Sequence, residues 1–254
     1  MARIIIGMQM YTLRDFCRTE EDIARTLDRV KDIGYRVIQA SGMARIEASR
    51  LKELLEQRSL SVCSTHTGYS DIVNETDRVI AEHRLLGCEA IMCPGLPGEL
   101  HNAEGYQKVA RDFARVLPKV KDAGLRLGYH NHAIELERYQ GKTGLEILLE
   151  NCPGLEAEID TYWIQHGGGD PAAWIEKYAG RVSEVHVKDM GIIKNKQVMP
   201  PIGTGNLNWS RIIQACQKAG VHFCLVEMDT PTVEPFEAIR ISLENLKSWG
   251  LVTQ

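Results

Sequence analysis

The stretch Leu155–Lys188, LEAEIDTYWIQHGGGDPAAWIEKYAGRVSEVHVK, decides the fold. It opens on one short strand candidate, Leu155–Asp160, and closes on another, Val182–Lys188. Between them residues 171–178 carry a helical pattern. Asp170 and Pro171 stand where a helix start needs a side-chain acceptor and a pre-set φ. Gly180 stands where the helix must end. A strand, a helix and a second strand within about 35 residues is a βαβ unit. The closing run, RVSEVHV, has apolar residues without clean alternation, which favours a parallel sheet covered by helices.

The unit repeats in both directions. Further strand candidates are Ile4–Met10, Arg36–Ala40, Leu60–His66, Ala90–Cys93, Leu125–Asn131 and His222–Glu227. Helical patterns lie near 20–33, 46–57, 72–86, 104–122, 143–150, 208–219 and 234–247. Gly34, Gly87, Gly124, Gly154, Gly180 and Gly220 each precede a strand, where a left-handed residue closes a helix. Thr19 is a further helix cap. Eight such units in 254 residues match a (β/α)8 barrel. The predicted class is therefore α/β, a single (β/α)8 TIM barrel spanning 1–254 as one domain. A doubly wound dinucleotide fold would show GxGxxG after its first strand, and MQMYTLRD stands there instead.

Composition removes several function classes. The formal charge is −4, which argues against a nucleic-acid partner that needs a basic surplus. No run of about 18 apolar residues exists, so no membrane span is expected. The N-terminal apolar run is too short for a signal peptide. Seven cysteines, odd in number and widely spaced without a CxxC pair, read as free thiols in a reducing cytoplasm.

In a barrel the chemistry sits at the C-terminal ends of the strands. Those ends carry Gln9, Tyr11 and Arg14; His66; His130, His132 and Glu135; Asp160, Tyr162, Trp163 and His166; His186, Lys188 and Asp189; and Glu227 and Asp229. Five of the eight histidines fall there. A single histidine or carboxylate at such a place is ordinarily a hydrogen-bonding or capping residue. His130, Asp160, His186 and Glu227 on four consecutive strands form a mixed nitrogen and oxygen set suited to a divalent ion: Mn2+, Co2+, Fe2+, Zn2+ or Mg2+. His132 shares a face with His130 and is the alternative ligand at strand five. Glu227, Lys188 and His132 are the candidate catalytic groups, although Lys188 also reads as a solvated lysine. His66, Trp163, Gln9 and Arg14 are the expected substrate contacts. Asp189 and Asp229 read as loop or cap residues. The loop PIGTGNLNW, residues 201–209, reads either as backbone amides offered to a substrate or as a plain turn.

GMQMYTLRD at the start, YHNHAIELE at strand five, EAEIDTYWIQHGGGDPAAWIEKYAGRVSEVHVKDM, PIGTGNLNW and LVEMD together resemble the xylose-isomerase-like TIM barrels, the sugar phosphate isomerases and epimerases. The resemblance covers nearly the whole chain. It implies a divalent metal held by the last four strands, frequently through Glu, Asp, His and Glu. Asp160, His186 and Glu227 match that order, whereas His130 stands where the first glutamate is expected. Trp163 stands where sugar epimerases frequently carry histidine. The YHNH form resembles a branch that includes inosose-dehydratase-like and 3-keto-glycoside-acting proteins. The implied activity is a metal-dependent sugar isomerase or epimerase working by proton abstraction beside a carbonyl and enediolate stabilisation. The alternative is a metal-dependent lyase or dehydratase on a keto-sugar or 3-keto-glycoside. The implied partner is a small sugar, and the family suggests a homodimer or homotetramer.

Overall fold

The computed structural model describes residues 3–254. Eight parallel strands close into a barrel: β1 (Ile5–Gln9), β2 (Val37–Ala40), β3 (Ser61–His66), β4 (Ala90–Cys93), β5 (Arg126–His130), β6 (Glu156–Asp160), β7 (Glu184–Val187) and β8 (Phe223–Val226). Each strand pairs with its neighbour in sequence, and β8 pairs with β1 to close the ring, Phe223 opposite Ile5. Helices connect the strands, so the fold is the (β/α)8 barrel that the repeated unit predicts.

Strand alternation divides the side chains. Ile6, Met8, Ile38, Ile91, Leu127, Ile159, Val185, Val187, Cys224 and Val226 belong to the large apolar cluster shared with the helices. Inside the barrel, Val37, Cys63, Phe223 and Leu225 form a small separate cluster with Ile5 packed on it. Gly7 makes room there, since a Cβ at that place would stand 2.5 Å from Leu225 Cδ2. Above this apolar plug the inward positions become polar. Gln9, Gln39, Ser64, His130, Glu158, Asp160, Glu184, His186, Lys188 and Glu227 are all buried.

One irregularity matters for the site. Pairing of β2 with β3 steps from Ile38–Val62 to Gln39–Ser64, so Cys63 is the extra residue of a bulge. A bulge re-aims the side chains that follow it. Ser64 thereby sits beside Gln39, within 2.9 Å of its Nε2, and His66 follows on the same face.

Several local expectations are revised. The pattern over 72–86 is two helices, Tyr69–Asn74 and Thr76–Leu86, separated where Glu75 leaves helical geometry at φ −125° and ψ 35°. Asp160 accepts from the backbone of Trp163 at 2.9 Å and starts an extra short helix, Thr161–His166. Gly154 is absent from the positive-φ glycines, unlike Gly34, Gly87, Gly124, Gly180 and Gly220. Its value is space: a Cβ there would lie 2.5 Å from Leu117 Cδ2. Small hairpins at Arg138–Tyr139 with Lys142–Thr143, and at Gly191–Ile193 with Lys196–Val198, carry no period that the sequence reading recognised.

The 201–209 loop resolves in favour of structure over ligand binding. Its amides turn to Asp189, whose carboxylate accepts from Gly203 N at 2.8 Å, Gly205 N at 2.9 Å, Leu207 N at 3.3 Å and Trp209 Nε1 at 2.8 Å. Asp189 is thus the loop residue expected, with a larger task than a cap. Asp189→Ala strands these donors together and should cost on the order of 3–5 kcal/mol. Denaturant titration of the variant checks this; a loss under about 1 kcal/mol would mean the loop organises itself.

Candidate functional site

The polar strand ends converge on one point. His130, Asp160, His186 and Glu227 each offer an atom within 4.8 Å of the others, and all four are buried. His186 stands at the middle. Its Nδ1 is 2.9 Å from Glu227 Oε2 and 4.0 Å from Asp160 Oδ2. Its Nε2 is 2.8 Å from Gln39 Oε1 and 3.1 Å from Glu158 Oε1. Burial alone would lower its pKa, but Glu158 and Glu227 on opposite edges overcome this and push it up to about 10.

Lys188 is fully buried. Its Nζ lies 3.0 Å from Asp160 Oδ2, 2.8 Å from Glu227 Oε2 and 2.8 Å from Asp229 Oδ2. Burial opposes its charge, yet these carboxylates hold its pKa above the ordinary lysine value. It is therefore neither the solvated strand-exit lysine nor a neutral amine. Glu227, despite burial, is held well below the usual carboxylate range by Lys188 and His186. Asp160 goes the other way, to about 6, because burial and the nearby Glu227 outweigh Lys188. Burial and the neighbouring charge of His186 hold His130 well below the usual histidine value.

A cavity of about 360 Å3 opens above these groups, lined in part by Gln9, His66, His130, His132, Glu227 and Asp229. Gln9 Oε1 accepts from Tyr11 N, while its Nε2 is buried without a partner among the described residues. His66 is held at both nitrogens, Nδ1 3.1 Å from Ser41 Oγ and Nε2 2.9 Å from Glu158 Oε2. His132 touches His130 edge to face, with ring centroids 4.8 Å apart. Its backbone is fixed by Glu135, which accepts from His132 N at 2.8 Å and from the Tyr129 hydroxyl at 2.7 Å. His132 lies outside the four-residue cluster, and His130 lies inside it.

Other expected contacts are placed elsewhere. Arg14 does not line the cavity; it stacks on Tyr11 and donates to the carbonyls of Tyr11 and Asp229, both at 2.9 Å. Trp163 packs between His132, His166 and Lys188 and is not part of the lining either. His166 is exposed at the end of the short helix, which leaves four of the five rim histidines together.

Sequence reading missed Glu158 and Gln39. Glu158 is completely buried and approaches three histidines: His66, His186 and, at 3.5 Å, His130 Nδ1. A signal was present. Glu158 shares the face of Asp160 two residues on, just as Glu184 shares that of His186 and Lys188.

These residues suit a divalent ion. Among the described residues His130 Nδ1 is a buried atom without a hydrogen-bond partner, and Asp160 Oδ2 has the Lys188 ammonium at 3.0 Å but no hydrogen-bond donor of its own. A buried polar atom left so is costly, and coordination is one way to satisfy it. Two imidazoles and two carboxylates are a donor set for a transition-metal dication.

Replacing Lys188 tests the charge balance. Lys188→Met leaves Asp160, Glu227 and Asp229 without their shared cation and should cost about 3–5 kcal/mol in metal-free protein. Added Co2+ should then raise the melting temperature more than in the parent, since the ion takes over the lost positive charge. An equal gain in both proteins would show that Lys188 does not contend with a cation at this place.

The sequence profile described as xylose isomerase-like TIM barrel matches residues 27–249. No curated protein gives a significant match. Among solved structures, a sugar phosphate isomerase/epimerase from Parabacteroides distasonis ATCC 8503 superposes with a TM-score of 0.79 at 24% identity, over 99% of this chain and 96% of that one. An L-ribulose 3-epimerase gives 0.73 at 18% identity, over 98% and 94%. A probable 3-DHS dehydratase from Bacillus anthracis gives 0.72 at 13% identity, over 96% and 99%. At these identities the likeness is one of fold. The profile, matching most of the chain, makes this protein a member of the xylose isomerase-like TIM barrel family.

Proposed function

We propose that the protein is a divalent-metal-dependent sugar isomerase or epimerase that removes a proton from the carbon beside a carbonyl. The observation that carries this reading is the meeting of His130, Asp160, His186 and Glu227 in one buried cluster, of which His130 and Glu227 line a cavity of about 360 Å3. A bound divalent ion would supply Lewis-acid stabilisation of the negative charge that develops on the substrate oxygen.

The chain's own groups divide the remaining work. Glu227, held ionised by Lys188 and His186, is the carboxylate base at the cavity floor. His132 lies on the cavity wall and is the second proton-transfer group. Gln9 Nε2 is a free donor for a substrate hydroxyl. His66, locked between Ser41 and Glu158, fixes one wall. We assign Lys188 an electrostatic task, keeping Glu227 ionised, because an ammonium held by three carboxylates is a poor base or nucleophile. Arg14 and Trp163 act as support for the rim. The seven cysteines are unpaired and buried, which supports a reducing, cytoplasmic setting.

A lyase or dehydratase acting on a keto-sugar or 3-keto-glycoside is the second reading. His130 favours it: with histidine on β5, Glu227 is the one glutamate of the four. Elimination needs one base and a departing β-oxygen, whereas epimerisation needs a proton donor for each face.

Keto-sugars and 3-keto-glycosides incubated with the Mn2+- or Co2+-loaded protein in deuterated water separate the two. Deuterium incorporation without loss of any fragment supports isomerisation or epimerisation. Loss of water or of an aglycone supports the lyase. No exchange into any sugar tested would sink both readings for that set. In the active case His132→Asn should lower turnover roughly 10²–10⁴-fold while metal content stays constant; unchanged turnover removes His132 from the proton-transfer pair.

A further inference from the structure

Glu158 sits one pleat deeper than Asp160 on β6 and has no access to solvent. We propose that Glu158 is the positioning residue behind the metal centre: it keeps a proton on Nε2 of His186 and so turns Nδ1 of that ring toward the ion. The inference rests on the metal-dependent reading above, and goes beyond it by fixing which face of His186 does the binding.

An imidazole has two nitrogens, and in His186 they face different neighbours. Nδ1 faces Glu227 and Asp160, both members of the cluster at the cavity floor. Nε2 faces away from them, toward Glu158 Oε1 and Gln39 Oε1. A carboxylate behind a histidine ligand fixes its tautomer and its ring angle. Gln39 holds that carboxylate in place, donating to Glu158 Oε1 at 2.5 Å. The second oxygen of Glu158 accepts from His66 Nε2 at 2.9 Å and stands 3.5 Å from His130 Nδ1. One buried carboxylate thus lies behind His186 and holds the neighbouring His66 as well. Ring contacts add to the constraint: His66 stacks on His186 with centroids 5.3 Å apart, and His130 packs tilted against His186 at 4.3 Å.

The same geometry allows a rival arrangement. His66, His130, Glu158 and His186 also bring donor atoms within 4.8 Å, so an ion could use Glu158 directly. It would share His130 and His186 with the upper set. The upper set is favoured because its carboxylate Glu227 lines the cavity, where a substrate can reach it, and Glu158 does not; the histidines do not discriminate, since His66 and His130 both line it.

Co2+ affinity by visible absorption and chelator competition provides the test, on the full chain and three variants. Asp160→Ala should abolish binding; affinity like that of the parent would remove Asp160 and with it the upper set as the metal centre. Glu158→Gln should keep one Co2+ but bind it roughly 10–100-fold more weakly, and His66→Asn should stay within about threefold of the parent. Unchanged affinity in Glu158→Gln overturns the proposal. Loss in both Glu158→Gln and His66→Asn, with Asp160→Ala still binding, assigns the ion to the lower set and overturns it as well. Should Glu158→Gln fail to fold, histidine ¹⁵N spectra of the Zn2+-loaded parent decide alone: a proton on His186 Nε2 with metal on Nδ1 supports the proposal, and the reverse arrangement refutes it.

Discussion

A fully buried ammonium, Lys188 Nζ, lies within 3.0 Å of three carboxylates, and the upper half of the barrel is arranged around it. Burying a charge is costly unless partners surround it. The same condition governs His186, which has a carboxylate at each edge. Positive groups from β7 therefore interleave with negative groups from β6 and β8. No member can be removed without leaving another uncompensated. That mutual dependence ties three strand ends together, those of β6, β7 and β8.

The rest of the fold keeps this arrangement in place. The apolar plug of Val37, Cys63, Phe223 and Leu225 closes the barrel below it. The bulge at Cys63 turns Ser64 and His66 inward, so β3 supplies partners for Glu184 and Glu158. Glu184, buried close to Glu158, has its carboxyl pushed up to about 8, first by burial and then by that neighbouring charge. Asp160 serves twice, as a member of the cluster and as the cap of the short helix that carries Trp163. Asp189 ties down the loop after β7 with its own carboxylate. His130, Asp160, His186 and Glu227 are the group that the proposed function assigns to a divalent ion.

Much of this was legible in advance. The eight repeats gave the barrel because apolar runs, caps and closing glycines act locally. The strand-end rule then brought His130, Asp160, His186 and Glu227 to one rim. It overreached at His166, which a capped helix carries to the surface, whereas Arg14 and Trp163 pack beside the rim. It missed Glu158 and Glu184, since attention at the strand ends passed over carboxylates one pleat deeper.

By itself the sequence determined the order of strands and helices, the closed barrel and the rim on which the polar residues gather. Those follow from periodicity and from turn chemistry, both short-range. Only the tertiary structure decided the partners: that Lys188 is caged, that the 201–209 amides serve Asp189, and that Glu158 stands behind the histidines. Partner choice depends on distances between residues as far apart as Gln39 and His186. Electrostatic energies in a buried interior change steeply over a few ångströms, and barrel closure alone sets those distances.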